Sequence, residues 1–223
     1  MYGLPVLILF FLGLYQFNNK YSQNTIQAAN GILALSEEEL QKSPVRFLVS
    51  GWAFYPDALL TPEEIRDESH YMRYLSIGEQ TNFSSPANPS PYGCGTYQMT
   101  FFLPERKETY ALEIPEVFSA YNLYLDHDLI LQMGEPAQGT PLVQNRMVTF
   151  HGGKPVTLTI AVSNYDHFYG GIVYPPAFGT MLAVNTTRGI RFAFCLFSCT
   201  VTLSVRCCPF IQPPDETENT FLF

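Results

Sequence analysis

The chain has 223 residues and a formal net charge of -8. An acidic chain without any Lys/Arg cluster has no electrostatic footprint for nucleic acid, which excludes that partner. Charged residues make up only 14%, while 18 Phe, 14 Tyr, 17 Pro and 15 Gly favour strands and turns. The length suits one domain of ~150 residues with flanking segments.

Residues 2–17 (YGLPVLILFFLGLYQF) carry no charge. Such a run is short for a spanning helix, which needs ~20 apolar residues, and long enough for the core of a secretory signal. No Lys or Arg precedes it and no A-x-A site follows it. Residues 1–20 are therefore expected to form a signal peptide or membrane anchor, with the next domain extracytoplasmic.

Residues 29–36 (ANGILALS) open the globular part, and Ser36 with Glu39 has the spacing of a capping box, which predicts a short helix. Residues 45–55 (VRFLVSGWAFY) read as a strand built on Phe47, Val49, Trp52 and Phe54, with Gly51 at a bulge or close approach. Thr61-Pro62-Glu63-Glu64 predicts another helix, with Pro at the first helical position. Residues 71–77 suit a short strand, and 82–95 (NFSSPANPSPYGCG) a loop.

From there the strand signals become regular: 96–103, ended by Pro104; 110–114; 120–125; 129–133; 146–150; and 156–162. Asp126-His127-Asp128 makes a turn between 120–125 and 129–133, predicting a hairpin. In VTLTIAV, Val156, Leu158, Ile160 and Val162 point one way, and Thr157, Thr159 and Ala161 the other. Short strands every ~8–12 residues, with no βαβ alternation, predict an all-β antiparallel sandwich or barrel.

Motifs for chemistry are missing from the sequence. His70, His127, His151 and His167 make no ligand spacing, and there is no G-x-S-x-G elbow or phosphate loop. Asp126 and Asp128 read as turn formers and Cys94 as a small buried hydrophobe. Glu113 and Glu116 are near each other in sequence, but nothing marks them as the facing carboxylates of a glycosidase. The chain is expected to be no enzyme and to need neither cofactor nor metal. Binding is the stronger expectation. Residues 163–174 (SNYDHFYGGIVY) gather Asn164, His167 and aromatics around Gly170-Gly171, directly after the clearest strand, where a loop makes a ligand rim.

At the far end, residues 190–205 (IRFAFCLFSCTVTLSV) begin like a membrane helix. Cys195 and Cys199 have helical spacing, and their apolar neighbours favour membrane burial over a metal. Beyond Arg206-Cys207-Cys208-Pro209 the tail shows neither helical nor strand period. Residues 188–223 are expected to be a truncated or out-of-frame start of a transmembrane region.

Five segments in order carry a resemblance: ANGILALS, GWAFYPDALLTPEE, YGCGTYQMTFFLP, LEIPEVFSAYNLYLDHDLILQMGEP and VSNYDHFYGGIVYPPAFG. Over residues 29–179 the chain resembles the second type of extracellular sensor domain of bacterial receptors with seven transmembrane helices and diverse intracellular signalling modules (7TMR-DISM). The resemblance implies a galactose-binding-like jelly roll, bounded here at residues 29–183, that precedes the membrane helices of a signal-transduction receptor. It implies a carbohydrate or another small ligand outside the cell and an output such as a histidine kinase or nucleotide cyclase, which this chain lacks. Tyr97, Tyr124, Asn164, Gly170 and Gly171 match the pattern and, with His167 of the same loop, are the candidate ligand residues. The chain departs from it at Ile77-Gly78-Glu79-Gln80, where members carry an aromatic after a Pro-Gly turn. It departs again at Gln98, usually Arg, and at Asp126-His127, usually Asn-Gly. The expected partners are a small-molecule ligand, the membrane and a second copy in a homodimer. The stretch G-x-G-T-Y-x-x-x-F-x-x-P over residues 93–104 also resembles the jelly roll that opens family 2 glycoside hydrolases. A sugar-binding accessory domain of such an enzyme, or a secreted carbohydrate-binding protein, is the alternative.

Overall fold

A computed structural model describes residues 3–21, 28–67, 69–78, 83 and 90–206. Expectations for Cys207, Cys208 and the tail, and for residues 82 and 84–89 of the 82–95 loop, fall outside these residues. The chain divides into two compact units, Met1–Asn185 and Thr186–Phe223.

The first unit holds an all-β sandwich of the jelly-roll type. In its large sheet the order is β4 (Arg73–Leu75), β3 (Trp52–Pro56), β5 (Gly93–Phe102), β10 (Val156–Asn164), β7 (Ala120–Leu125) and β8 (Asp128–Met133). These pairings are antiparallel. A short strand, β1 (Ile32–Ala34), runs parallel along the last three residues of β5, continuing the edge that β3 occupies. The small sheet has the order β2 (Val45–Phe47), β11 (Ala177–Thr180), β6 (Tyr110–Ile114) and β9 (Arg146–Phe150).

Alternation decides which side chains meet between the sheets. Tyr97, Met99 and Phe101 of β5, Leu158, Ile160 and Val162 of β10, and Tyr121 and Leu123 of β7 are all buried. From the small sheet Tyr110, Leu112, Phe150 and Phe178 face them. Phe178 sits among three rings, with centroids 5.1 Å from Phe101, 5.7 Å from Tyr110 and 6.1 Å from Phe150.

The expected strand over 45–55 is two strands in different sheets. β2 pairs with β11 and β3 with β5, so the chain changes layer between Phe47 and Trp52. Gly51 lies in that crossing at φ +80°, where a Cβ would come 2.0 Å from the Ala28 carbonyl oxygen, a close approach only glycine permits. The other predicted strands lie where expected, within one to three residues at their ends.

Both predicted helices form, as α2 (Glu37–Lys42) and α3 (Pro62–Asp67). At α2, Ser36 Oγ accepts from the Glu39 amide (3.3 Å) while the Ser36 amide donates to Glu39 Oε2 (2.6 Å), a reciprocal capping box. That donated bond holds the Glu39 carboxyl below its ordinary range. The buried Arg46 guanidinium of β2 donates to the Glu39 carbonyl and ties α2 to the small sheet. Ser36→Ala is expected to cost about 1 kcal/mol. In thermal unfolding that is a fall of about 2–4 °C, and an unchanged midpoint would show that the cap does not hold α2.

The apolar N-terminal run is helix α1 (Gly3–Asn18). Helix α4 (Met181–Arg206) follows directly on β11, starting earlier than the expected boundary at 188 and running on into the second unit. Among the described residues no helix is long and apolar enough to cross a membrane. Helix α4 carries Arg188 and Arg191 among its apolar residues.

Candidate functional site

The outer face of the large sheet mixes Thr, Asn, Gln and Tyr with Ala53 and Ala161. Strand register sets these residues in rows. Tyr55, Thr96, Ala161, Asn122 and Gln132 form one row, and Tyr74, Ala53, Gln98, Thr159 and Tyr124 the next. A β-bulge between Leu123 and Tyr124 adjusts the pairing with β8.

The loop after β3 lies across this face. It is tied down by Thr96, whose Oγ1 accepts from the Leu60 amide (2.9 Å) and donates to the Ala58 carbonyl (2.8 Å). On the other side stands the loop after β8, whose Pro136 carbonyl accepts from Ser163 Oγ (2.5 Å) and whose Gly139 lies under the Tyr165 ring. Between the two loops is a cleft of about 220 Å³ with Asn122, Tyr124, Gln132 and Ala161 on its floor and Thr61 and Glu135 on its walls.

Asn122 Oδ1 is buried there and has no hydrogen-bond partner among the described residues. Buried polar atoms are paired in the great majority of cases, so this oxygen is an exception beneath the sheet face. Gln132 Nε2 donates to the Gly134 carbonyl (3.3 Å), which orients its amide.

The candidate residues read from sequence separate into two groups. Tyr124 lines the cleft, and His167 lies part-exposed on the loop after β10. Tyr97, Asn164, Gly170 and Gly171 are buried framework. The Tyr97 ring packs against Phe54 (4.8 Å) and Trp52 (6.3 Å) in the core, and burial pushes its hydroxyl up to about 12. Asn164 shapes the loop: its Nδ2 donates to the Pro91 (2.8 Å) and His167 (2.5 Å) carbonyls, and its Oδ1 accepts from the His167 amide (3.1 Å). A Cβ on Gly170 would meet the Pro91 carbonyl oxygen at 2.2 Å, and one on Gly171 the Tyr97 hydroxyl at 2.3 Å.

The loop thus held presents aromatic rings. His167 stacks between Phe118 (4.8 Å) and Phe168 (4.7 Å), with Tyr169 beside them, and Phe168 is exposed. The Tyr169 amide donates to His167 Nδ1 (3.1 Å), which leaves the ring proton of the neutral form on Nε2.

The residues weighed for chemistry have other occupations. Asp126, at φ +54°, accepts from the Thr157 amide (2.8 Å), and His127 Nδ1 pairs with Glu63 (2.9 Å). Burial, then the nearby Asp57, push the Cys94 thiol up, away from the thiolate a nucleophile needs. Among the described residues no group of three or more His, Cys, Asp or Glu is placed to hold a metal ion.

Asn122 and Gln132 were not singled out from sequence. The signal was present for Asn122, which lies two residues before Tyr124 and so on the same face of β7.

Sandwich and cleft together define an all-β module with a small recess on the outer side of its large sheet. No family model matches the sequence, and no curated protein matches it. Solved structures similar in shape include a GH2 β-galacturonidase from Eisenbergiella tayi, at 13% identity and TM-score 0.43 over 60% of this chain and 24% of that one. A Faecalibacterium prausnitzii β-glucuronidase shows 17% identity and TM-score 0.44 over 62% of this chain and 32% of that one. A glycosyl hydrolase family 2 member from Bacteroides cellulosilyticus shows 10% identity and TM-score 0.49 over 61% of this chain and 20% of that one. The chain thus spans a third or less of the length of each.

Proposed function

We propose that this protein is a non-catalytic binding module that holds a small polyhydroxylated ligand, a carbohydrate, against the outer face of its large sheet. The observation that carries this is the recess between the two loops, lined by Asn122, Gln132, Tyr124 and Thr61. Tyr124 offers an aromatic ring there, and Gln132 and Thr61 offer further polar atoms. Ligand sites combine apolar walls with a few such oriented polar groups. Glycoside hydrolysis would need two carboxylates flanking one bond, and this cleft is lined by one, Glu135.

Two settings share this role. The sequence resemblance supports the extracytoplasmic sensor of a membrane receptor. The alternative is a sugar-binding accessory domain or secreted protein. Fractionation with a carbonate wash separates them, since the receptor stays with the membrane and the secreted protein is released.

The test of binding is a thermal-shift screen against sugars. A ligand at 100 times its Kd stabilises the native state by about 2.7 kcal/mol. For a chain of this size that raises the midpoint by about 5–11 °C. Asn122→Ala is expected to abolish or sharply reduce the rise, while the unliganded midpoint stays level or increases. A full rise in the variant, or no sugar that shifts the native protein, would refute the proposal.

A further inference from the structure

Where the end of α1 meets the sandwich there is a recess of about 480 Å³, within the ~300–1,000 Å³ usual for small-molecule sites. Its lining is Tyr15 of α1, the following Asn19, Lys20 and Tyr21, Glu116 of the β6–β7 loop and Tyr174 of the loop before β11. None of these residues lines the sheet-face cleft.

Tyr21 fastens the chain after α1 to the sandwich at two points. Its hydroxyl donates to the Val173 carbonyl (2.5 Å). Its ring lies against Gly78, at φ +89°, where a Cβ would come 2.5 Å from the ring.

The lining combines aromatic rings with one charge of each sign. Three of its residues are tyrosines, whose ring faces attract cations. The Lys20 ammonium already lies 5.8 Å from the Tyr174 ring centroid. Glu116 is exposed and has no ion-pair partner among the described residues. A simple cation drawn to Glu116 is repelled by Lys20, and a simple anion drawn to Lys20 is repelled by Glu116. A molecule that carries both charges escapes both penalties.

We infer that this recess binds a small zwitterion, with its ammonium against Glu116 and the rings of Tyr15 and Tyr21 and its phosphate at Lys20 and Asn19. The phosphoamine head of a lipid and the same head free in solution share this chemistry. Helix α1, which carries no charge and exposes Ile8, Leu9, Phe11 and Leu12, ends at the recess. Lipid around that helix would bring such a head within reach.

The test is titration calorimetry of the full chain in a nonionic detergent with phosphocholine, choline and inorganic phosphate. Phosphocholine is expected to bind at least tenfold more tightly than choline or phosphate. Glu116→Gln and Lys20→Met are each expected to cut that affinity at least fivefold while the unliganded thermal midpoint stays level. Flotation with phosphatidylcholine and phosphatidylglycerol vesicles separates the two sources. A preference for phosphatidylcholine that Glu116→Gln removes assigns the lipid head, and phosphocholine binding without that preference assigns the free zwitterion. Equal affinity for choline and phosphocholine, or binding that neither variant weakens, would overturn the inference. So would an absence of phosphocholine binding together with no vesicle preference.

Discussion

Phe178→Ala is expected to lower stability by about 3–5 kcal/mol, the usual cost of removing a fully buried Phe from a core. The ring lies at the centre of the contact between the two sheets, against Phe101 from the large sheet and Tyr110 and Phe150 from the small one. Each aromatic pair contributes about 0.5–1.5 kcal/mol beyond its buried area, so the loss reaches past a simple transfer cost. At about 2–4 °C per kcal/mol the midpoint of thermal unfolding falls by about 6–20 °C. Phe178→Leu keeps most of the volume and loses the stacking, so its fall should be less than half as large. A drop of under 2 °C for the alanine variant would mean that the sheets are not packed through this ring.

The second large effect is at Gly171, and it separates a structural from a ligand-contacting role. The residue sits at φ +76°, and a Cβ there would come 2.3 Å from the Tyr97 hydroxyl. Its amide donates to Ser119 Oγ (3.1 Å), which pins the backbone in place. Gly171→Ala therefore meets a left-handed backbone cost of about 1–2 kcal/mol together with an overpacking cost of about 1–3 kcal/mol. Denaturant unfolding should show a loss of about 2–5 kcal/mol. If Gly171 instead served the ligand directly, the variant would fold with native stability and lose only binding. Urea midpoints measured beside sugar titrations distinguish the two outcomes.

Much of the sandwich is legible in the residues themselves. Apolar and polar residues alternate in TYQMTFFL, YALEI and VTLTIAV, and local sterics and burial act on that period directly. The helix starts at Ser36 and Thr61 are equally local, since side-chain caps use backbone amides three residues on. Strands β1 and β11 left weaker signals. The first has three residues, and the second follows Pro175-Pro176 and includes Gly179.

Tyr124 was named from the family resemblance, and the structure places it on the lining of the cleft. Asn164, Gly170 and Gly171 were read as ligand residues, and in the structure they shape a loop around Tyr97 and Pro91. A sequence marks such residues without saying whether they touch a ligand or hold the backbone, because both uses demand the same residue types.

The sequence by itself determined most of the strands, the inward and outward faces of the clearest one and the two capped helices, all of which follow from local period and side-chain caps. Tertiary structure alone decided that residues 45–55 divide between two sheets, that the loop at Ala58–Thr61 lies over Thr96, and that Asn122 is left with a buried, unpartnered oxygen. Those features depend on which strands pair and in what register. Pairings between residues tens of positions apart are set by the closure of the whole core, and no short window of the chain contains them.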